Sequence, residues 1–221
     1  MRLLFNALAK FTCGLVMVAL LIFLPAGTVN FAKGWLLMGL LFGPMLIAGF
    51  VMLFKSSEFL AKRLDVKEKQ STQKGVIAVS GLMFIAGFVV AGLDYRFGWS
   101  QMPAPVTVIA SVLFLIAYAL YAEVMRENAY LSRTIKVEEG QTVVDTGLYG
   151  IVRHPMYSAT LLLFLAMPLV LGSVFSFLCF LLYPVLIIKR LKSEEIFLEK
   201  ELPGYKEYKE KVKYRLIPGI W

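Results

Sequence analysis

GLYGIVRHPMYSATLLLFLAMPLVLGSVFSFLCFLLYPVLIIKRLKSEE, residues 147–195, is the stretch that decides the fold. It opens on the pair Arg153-His154, the latter the single histidine of the chain, and closes on Arg190 and Glu194-Glu195. Between these polar ends lie two apolar runs, 159–171 and 174–188, split by Gly172-Ser173 and carrying Pro168 and Pro184. Runs this apolar read as membrane-embedded helices, and ionisable residues at their edges are costly unless paired, which makes them functional candidates. Each run is short for a straight crossing, so the pair reads as a short or tilted helical hairpin covered by other helices.

Outward from this stretch the chain keeps the same character. Hydrophobic residues make up 59% of 221 and mean hydropathy is +0.73, values of a polytopic membrane protein. Four earlier segments, 11–31, 35–54, 76–93 and 104–125, are each long enough to cross a hydrocarbon core of about 30 Å. The expected fold is therefore an all-α integral membrane bundle of about six hydrophobic segments. Residues 1–125 supply four transmembrane helices, and 126–221 a catalytic region with the hairpin, a helix over 189–202 outside the membrane and a tail.

Charge orients the chain. Of 23 Lys and Arg residues, 21 fall before the first segment or in 55–74, 126–153 and 189–215; only Lys33 and Arg96 lie in the opposite loops. The positive-inside rule makes the basic side cytoplasmic, with both termini there, in the plasma membrane of a prokaryote or the endoplasmic reticulum of a eukaryote. The net charge of +8 is then a topology and lipid-headgroup signal, and no basic-aromatic module points to nucleic acid. Cys13 and Cys179 sit within apolar segments with no metal-ligand partners, so neither a disulfide nor a metal site is expected.

Polar chemistry collects on the basic side. Glu139–Thr142 reads as a turn into the β-branched run Thr142-Val143-Val144, and Asp145-Thr146-Gly147 as a second turn. Pro155 suits the first turn of a helix, whose free N–H groups beside Arg153 and His154 suit a carboxylate or phosphate. Arg190 and Glu194, four apart, share one helix face. Taken singly, these residues have plainer readings. Arg153-His154 could anchor a helix at the headgroups, Arg190/Glu194 could be an exposed ion pair, and Glu123 could pair with Arg126. The charged loop 55–74 reads most simply as a solvated face. Two polar clusters meeting where a hairpin enters and leaves the membrane favour a pocket.

In order, Gly147-x-Tyr149-x-x-x-Arg153-His154-Pro155-x-Tyr157, a hydrophobic hairpin, Arg190-x-x-x-Glu194-Glu195 and Gly204-Tyr205-x-x-Tyr208 resemble the isoprenylcysteine carboxyl methyltransferase family, within the wider group of membrane phospholipid methyltransferases. The resemblance covers 127–221. It implies S-adenosylmethionine as cofactor, held on the cytosolic side by Gln141, Thr142, Val143, Val144, Tyr149, Arg153, His154, Pro155, Met156, Tyr157, Glu194 and Glu195. It also implies a lipophilic small molecule or lipidated substrate entering from the bilayer toward Arg190, the catalytic candidate, with Asn128 on the substrate side. Membrane lipids are expected partners, and no obligate protein partner is evident. Membrane sterol reductases, which use NADPH, share Arg-His-Pro-x-Tyr; they usually carry Asn where this chain has Met156. A non-enzymatic scaffold or transporter is the reading from another class, but the halves show no internal symmetry.

Overall fold

The computed structural model describes residues 2–64, 71–131, 135 and 137–221. Among the described residues it is helical and without strands. The helices are α1 (Arg2–Ala26), α2 (Ala32–Lys55), α3 (Ser57–Leu64), α4 (Ser71–Phe97), α5 (Ala104–Glu127), α6 (Pro155–Leu171), α7 (Val174–Phe180), α8 (Leu182–Glu201) and α9 (Tyr205–Lys211), with a 3-10 turn at Gly147–Gly150. The all-helical membrane bundle expected from composition is thus the observed architecture.

Among the described residues, five stretches are long and apolar enough to cross a membrane: Leu3–Ala26, Ala32–Lys55, Gln73–Phe97, Ala104–Glu127 and Val174–Glu201. Pro155–Leu171 is a shorter apolar helix. With Val174–Glu201 it forms the expected hairpin, whose second arm continues past residue 188 without a stop into the helix expected over 189–202. The change from Ile188 to Lys189 is a change of solvent, not of backbone preference, because no Gly or Pro intervenes. The one interruption lies at Leu181. Pro184 has no N–H for the Phe180 carbonyl and its ring would clash there, so it sits in the first turn of a new helix instead.

α6 is the centre of the bundle and packs against α2, α4, α5, α7 and α8. Its Leu163, Ala166, Met167 and Val170 join Ala110, Phe114 and Ala117 of α5 in one continuous core. Rings of Phe84, Phe88, Phe164, Phe180 and Tyr183 fill the space between α4, α6, α7 and α8 at centroid distances of 4.7–6.1 Å. α1 and α4 approach so closely that a Cβ on Gly92 would lie 2.4 Å from the Ile22 carbonyl oxygen, the use membrane helices make of small residues. At the sparsely charged side, buried Asp94 accepts from the Ser100 N–H (2.7 Å) and hydroxyl (2.5 Å) and from the Ser173 hydroxyl (2.5 Å). That knot fixes the end of α6 to the loop between α4 and α5.

Within the charged loop 55–74, residues 65–70 lie outside the described residues. The part before them is not simply a solvated face. α3 turns Leu60 inward, Phe59 packs beside Val124 and Tyr149, and the Arg63 guanidinium donates to the Tyr121 hydroxyl of α5.

Candidate functional site

The site hangs from the end of α5. Glu127 accepts from the Leu148 N–H with both carboxylate oxygens (3.1 and 2.9 Å) and so pins the 3-10 turn to the helix. Gly147 enters that turn at φ +54, and a Cβ there would lie 1.7 Å from Glu127 Oε1; glycine is required on both counts. Asn128 Nδ2 then donates to the Tyr149 hydroxyl (2.9 Å), and its Oδ1 accepts from the Tyr130 N–H (2.9 Å).

Residues 153–154 are clamped by the distant tail. The Arg153 N–H bonds to the Tyr214 carbonyl (2.9 Å) and the His154 N–H to that of Arg215 (3.0 Å). The Arg153 guanidinium, buried to 5% exposure, donates to Glu195 Oε1 (2.7 Å) and to the carbonyls of Val212 (2.6 Å) and Lys213 (2.9 Å). Arg215 Nε donates to the other Glu195 oxygen (2.9 Å). His154 Nε2 is 3.4 Å from Glu195 and 3.5 Å from the Tyr205 hydroxyl, and its ring lies along that of Tyr157 at 5.7 Å. Glu195, 3% exposed, is therefore a buried carboxylate neutralised by two arginines, with every oxygen engaged.

Above this anchored layer lies a cavity of about 850 Å³ including its open mouth. Its walls include Asn128, Gln141, Thr142, Val143, Val144, Tyr149, Arg153, His154, Met156, Tyr157, Arg190 and Glu194. The expected residues are thus brought together from α5, the 141–149 segment, α6 and α8, with two exceptions. Pro155 and Glu195 are not on the wall: Pro155 is consumed in starting α6, and Glu195 lies beneath, holding Arg153. The anion site expected at the α6 N-terminus is also largely closed. Pro155 has no N–H, and those of Tyr157 and Ser158 bond to the His154 carbonyl (3.0 and 3.2 Å).

Arg190 and Glu194 are joined through Tyr157, whose hydroxyl accepts from Arg190 Nε (3.0 Å) and donates to Glu194 Oε2. Glu123 and Arg126 pair locally on the exposed end of α5, at 2.8 Å. The 141–145 segment has no regular secondary structure, and among the described residues no backbone–backbone hydrogen bond engages Thr142, Val143 or Val144.

The far wall comes from the tail, whose tyrosines read in sequence as an interfacial belt or a lid rather than as site residues. Tyr205 and Tyr208 of α9, with Leu198 and Leu202, close the cavity. Tyr208 donates to the Tyr149 carbonyl (2.7 Å), and Lys211 donates to the Asp145 carboxylate (2.7 Å), which holds that carboxyl below its usual range. Burial raises the Tyr149 hydroxyl to about 12. It also raises Tyr205, aided by the charges of Glu195 and Glu194, and Tyr208, aided by Tyr149. All three stay neutral donors at physiological pH. The Tyr-x-x-Tyr spacing was a signal, but an interfacial belt explains it equally well from sequence alone.

Comparison with known proteins gives the class. The phospholipid methyltransferase family model matches residues 105–203, from the start of α5 to the end of α8. That segment, which carries most of the cavity, is similar to the phospholipid methyltransferases. A curated relative, a Delta(14)-sterol reductase of Mus musculus, is 31% identical over 91 residues, or 40% of this chain. The chain spans only 22% of that relative's length.

Proposed function

We propose that the protein is an S-adenosylmethionine-dependent methyltransferase of the membrane, acting on an amphipathic acceptor at the basic face. The observation that carries this reading is the cavity itself, mostly within the family segment, where Glu194, the Thr142–Val144 stretch and Tyr149, Tyr205 and Tyr208 share one wall space. The group fits the donor set. The Glu194 carboxylate suits an ammonium or ribose hydroxyls, and the Thr142–Val144 peptide groups with the rings of Tyr149, Tyr205 and Tyr208 suit a purine.

Bound there, the sulfonium cofactor would supply an electrophilic methyl group. The chain's own residues position and desolvate. α9 shields the cavity from water, while Arg190, at the membrane-side end of the Arg190–Tyr157–Glu194 series, orients the acceptor. An acceptor carboxylate needs no proton removed, and Arg offers it a bidentate fork. That chemistry suits a site whose histidine is packed against Glu195 and Tyr205, and it makes carboxyl methylation of a lipidated substrate the favoured form. By the charge asymmetry the site faces the cytosol.

A second reading, an NADPH-dependent sterol-type reductase, is favoured by the 31% identity to the mouse enzyme. Thermal-shift titration of the detergent-purified protein separates the two. S-adenosylmethionine or its demethylated product should stabilise it; stabilisation by NADPH alone would overturn the methyltransferase reading.

A further inference from the structure

α6 is the short member of the bundle. Its 17 residues rise about 25 Å, against about 36 Å for the 24 residues of α5, while the hydrocarbon core is about 30 Å thick. Its end nearer Gly172 is fixed. Ser173 is knotted to Asp94, Thr107 reaches the Leu169 carbonyl (3.5 Å), and Trp99 meets Phe175 in an aromatic pair at that face. The whole deficit therefore falls at the basic end. Counting back antiparallel from Thr107 beside Leu169, Pro155 lies level with about residue 121 of α5, roughly 9 Å short of that helix's end.

The segment 214–221 occupies this step. Its Tyr214 and Arg215 carbonyls take the N–H groups of Arg153 and His154, and the Leu216 carbonyl accepts from the Ser158 hydroxyl (2.7 Å) on the first turn of α6. The chain then closes on itself, with the Ile220 and Trp221 N–H groups bonded to the Ile217 carbonyl (both 3.1 Å). Leu216 and Trp221 pack on the bundle core, while Ile217 and Ile220 point away from it, 43% and 76% exposed. Tyr214 is also exposed, and Lys213 precedes it in the chain.

We propose that this turn is a membrane seat, inserted into the headgroup–acyl boundary of the basic-side leaflet with Ile217 and Ile220 in lipid. At the depth set by the start of α6 the surrounding medium is the bilayer. Apolar elements of this kind settle about 5–10 Å into the boundary, with lysines toward anionic headgroups. The seat also braces the site: Arg215 lies over the Trp221 ring at 5.1 Å and donates to Glu195, which holds Arg153. The inference needs the membrane bundle but not the methyltransferase reading, and its test uses no cofactor.

The test places nitroxides by Ile217→Cys, Ile220→Cys and, as the aqueous control, Lys206→Cys, each in a Cys13→Ala, Cys179→Ala background in nanodiscs containing anionic lipid. The expected result is a ratio of oxygen to nickel-chelate collision rates several-fold higher at 217 and 220 than at 206. Equal ratios would mean a turn in water and would overturn the proposal. So would spin–spin broadening with neither reagent reaching the label, the mark of a second copy of the chain on this face. Should a label perturb folding, quenching of Trp221 by dibrominated lipid in a Trp35→Phe, Trp99→Phe variant decides the same point; no quenching overturns the seat.

Discussion

Glu194 and Glu195 are neighbours in sequence and opposites in environment. Glu194 lines the cavity with one hydrogen bond from Tyr157, whereas Glu195 is sealed beneath it between Arg153 and Arg215. The same substitution should therefore do different things at the two positions. Glu194→Gln should leave thermal stability near wild type and weaken S-adenosylmethionine binding about ten- to a hundred-fold, the loss of one charge-assisted hydrogen bond. Glu195→Gln leaves the buried Arg153 guanidinium, and the partly exposed Arg215 beside it, without their counter-charge, and breaking such a buried pair costs about 3–5 kcal/mol, seen as a large fall in Tm before any ligand is added. Equal effects of both on binding alone would remove the distinction. Arg190→Ala should keep cofactor affinity within a few-fold by calorimetry and abolish turnover, and Lys at 190 should restore it only in part. Reading Glu194 and Glu195 together as ligand contacts was as far as sequence could go. On a helix the two point about 100° apart, but which one faces the cavity depends on the tail, a long-range pairing with no local signature.

At the scale of elements, the apolar helices were legible because length and hydropathy alone define them, and α6 with Pro155 at its start was legible from helix chemistry. The break at Leu181 was not, since Pro184 reads equally as a kink or a start until the packing is known. Nor was the role of α9, whose tyrosines carry no periodicity that distinguishes a lid from a belt. Two predictions follow from these connections. Gly147 and Gly140 both have positive φ, +54 and +71, but a Cβ at Gly140 meets open space. Gly147→Ala should thus lose clearly more stability than Gly140→Ala, which should cost about 1 kcal/mol, with hydrogen exchange rising in the 3-10 turn only for the former. The second concerns alkali. Tyr149, Tyr205 and Tyr208 have folded-state values above the ordinary tyrosine value near 10, so their contribution is fully present below pH 10. It is lost as pH rises from 10 through about 12, where Tyr149 ionises in the fold. A triple Tyr→Phe variant should lose less of its stability between pH 9 and 12 than wild type does; a parallel decline would dissociate the cap from the tyrosines.

For the molecule as a whole, the governing quantity is the asymmetry of charge, and the two exceptions to it are structural. Lys33 lies against the end of α6, where a Cβ on Gly172 would come within 2.4 Å of its Nζ, and a cation at a helix C-terminus is favourable. Arg96 packs over Gly27 and the Phe97 ring. Neither needs an aqueous, topology-setting role, so the basic face keeps its whole weight as the cytosolic signal. Cysteines introduced at exposed Val29 and Gln101, in a Cys13→Ala, Cys179→Ala background, should react with an impermeant maleimide on intact cells. Cysteines at exposed Glu139 and Lys206, each adjoining in sequence the cavity-lining stretches at Gln141 and Tyr205, should react only after lysis. Labelling of Glu139→Cys from outside would put the cavity on the face without S-adenosylmethionine or NADPH, and both enzymatic readings would fall together.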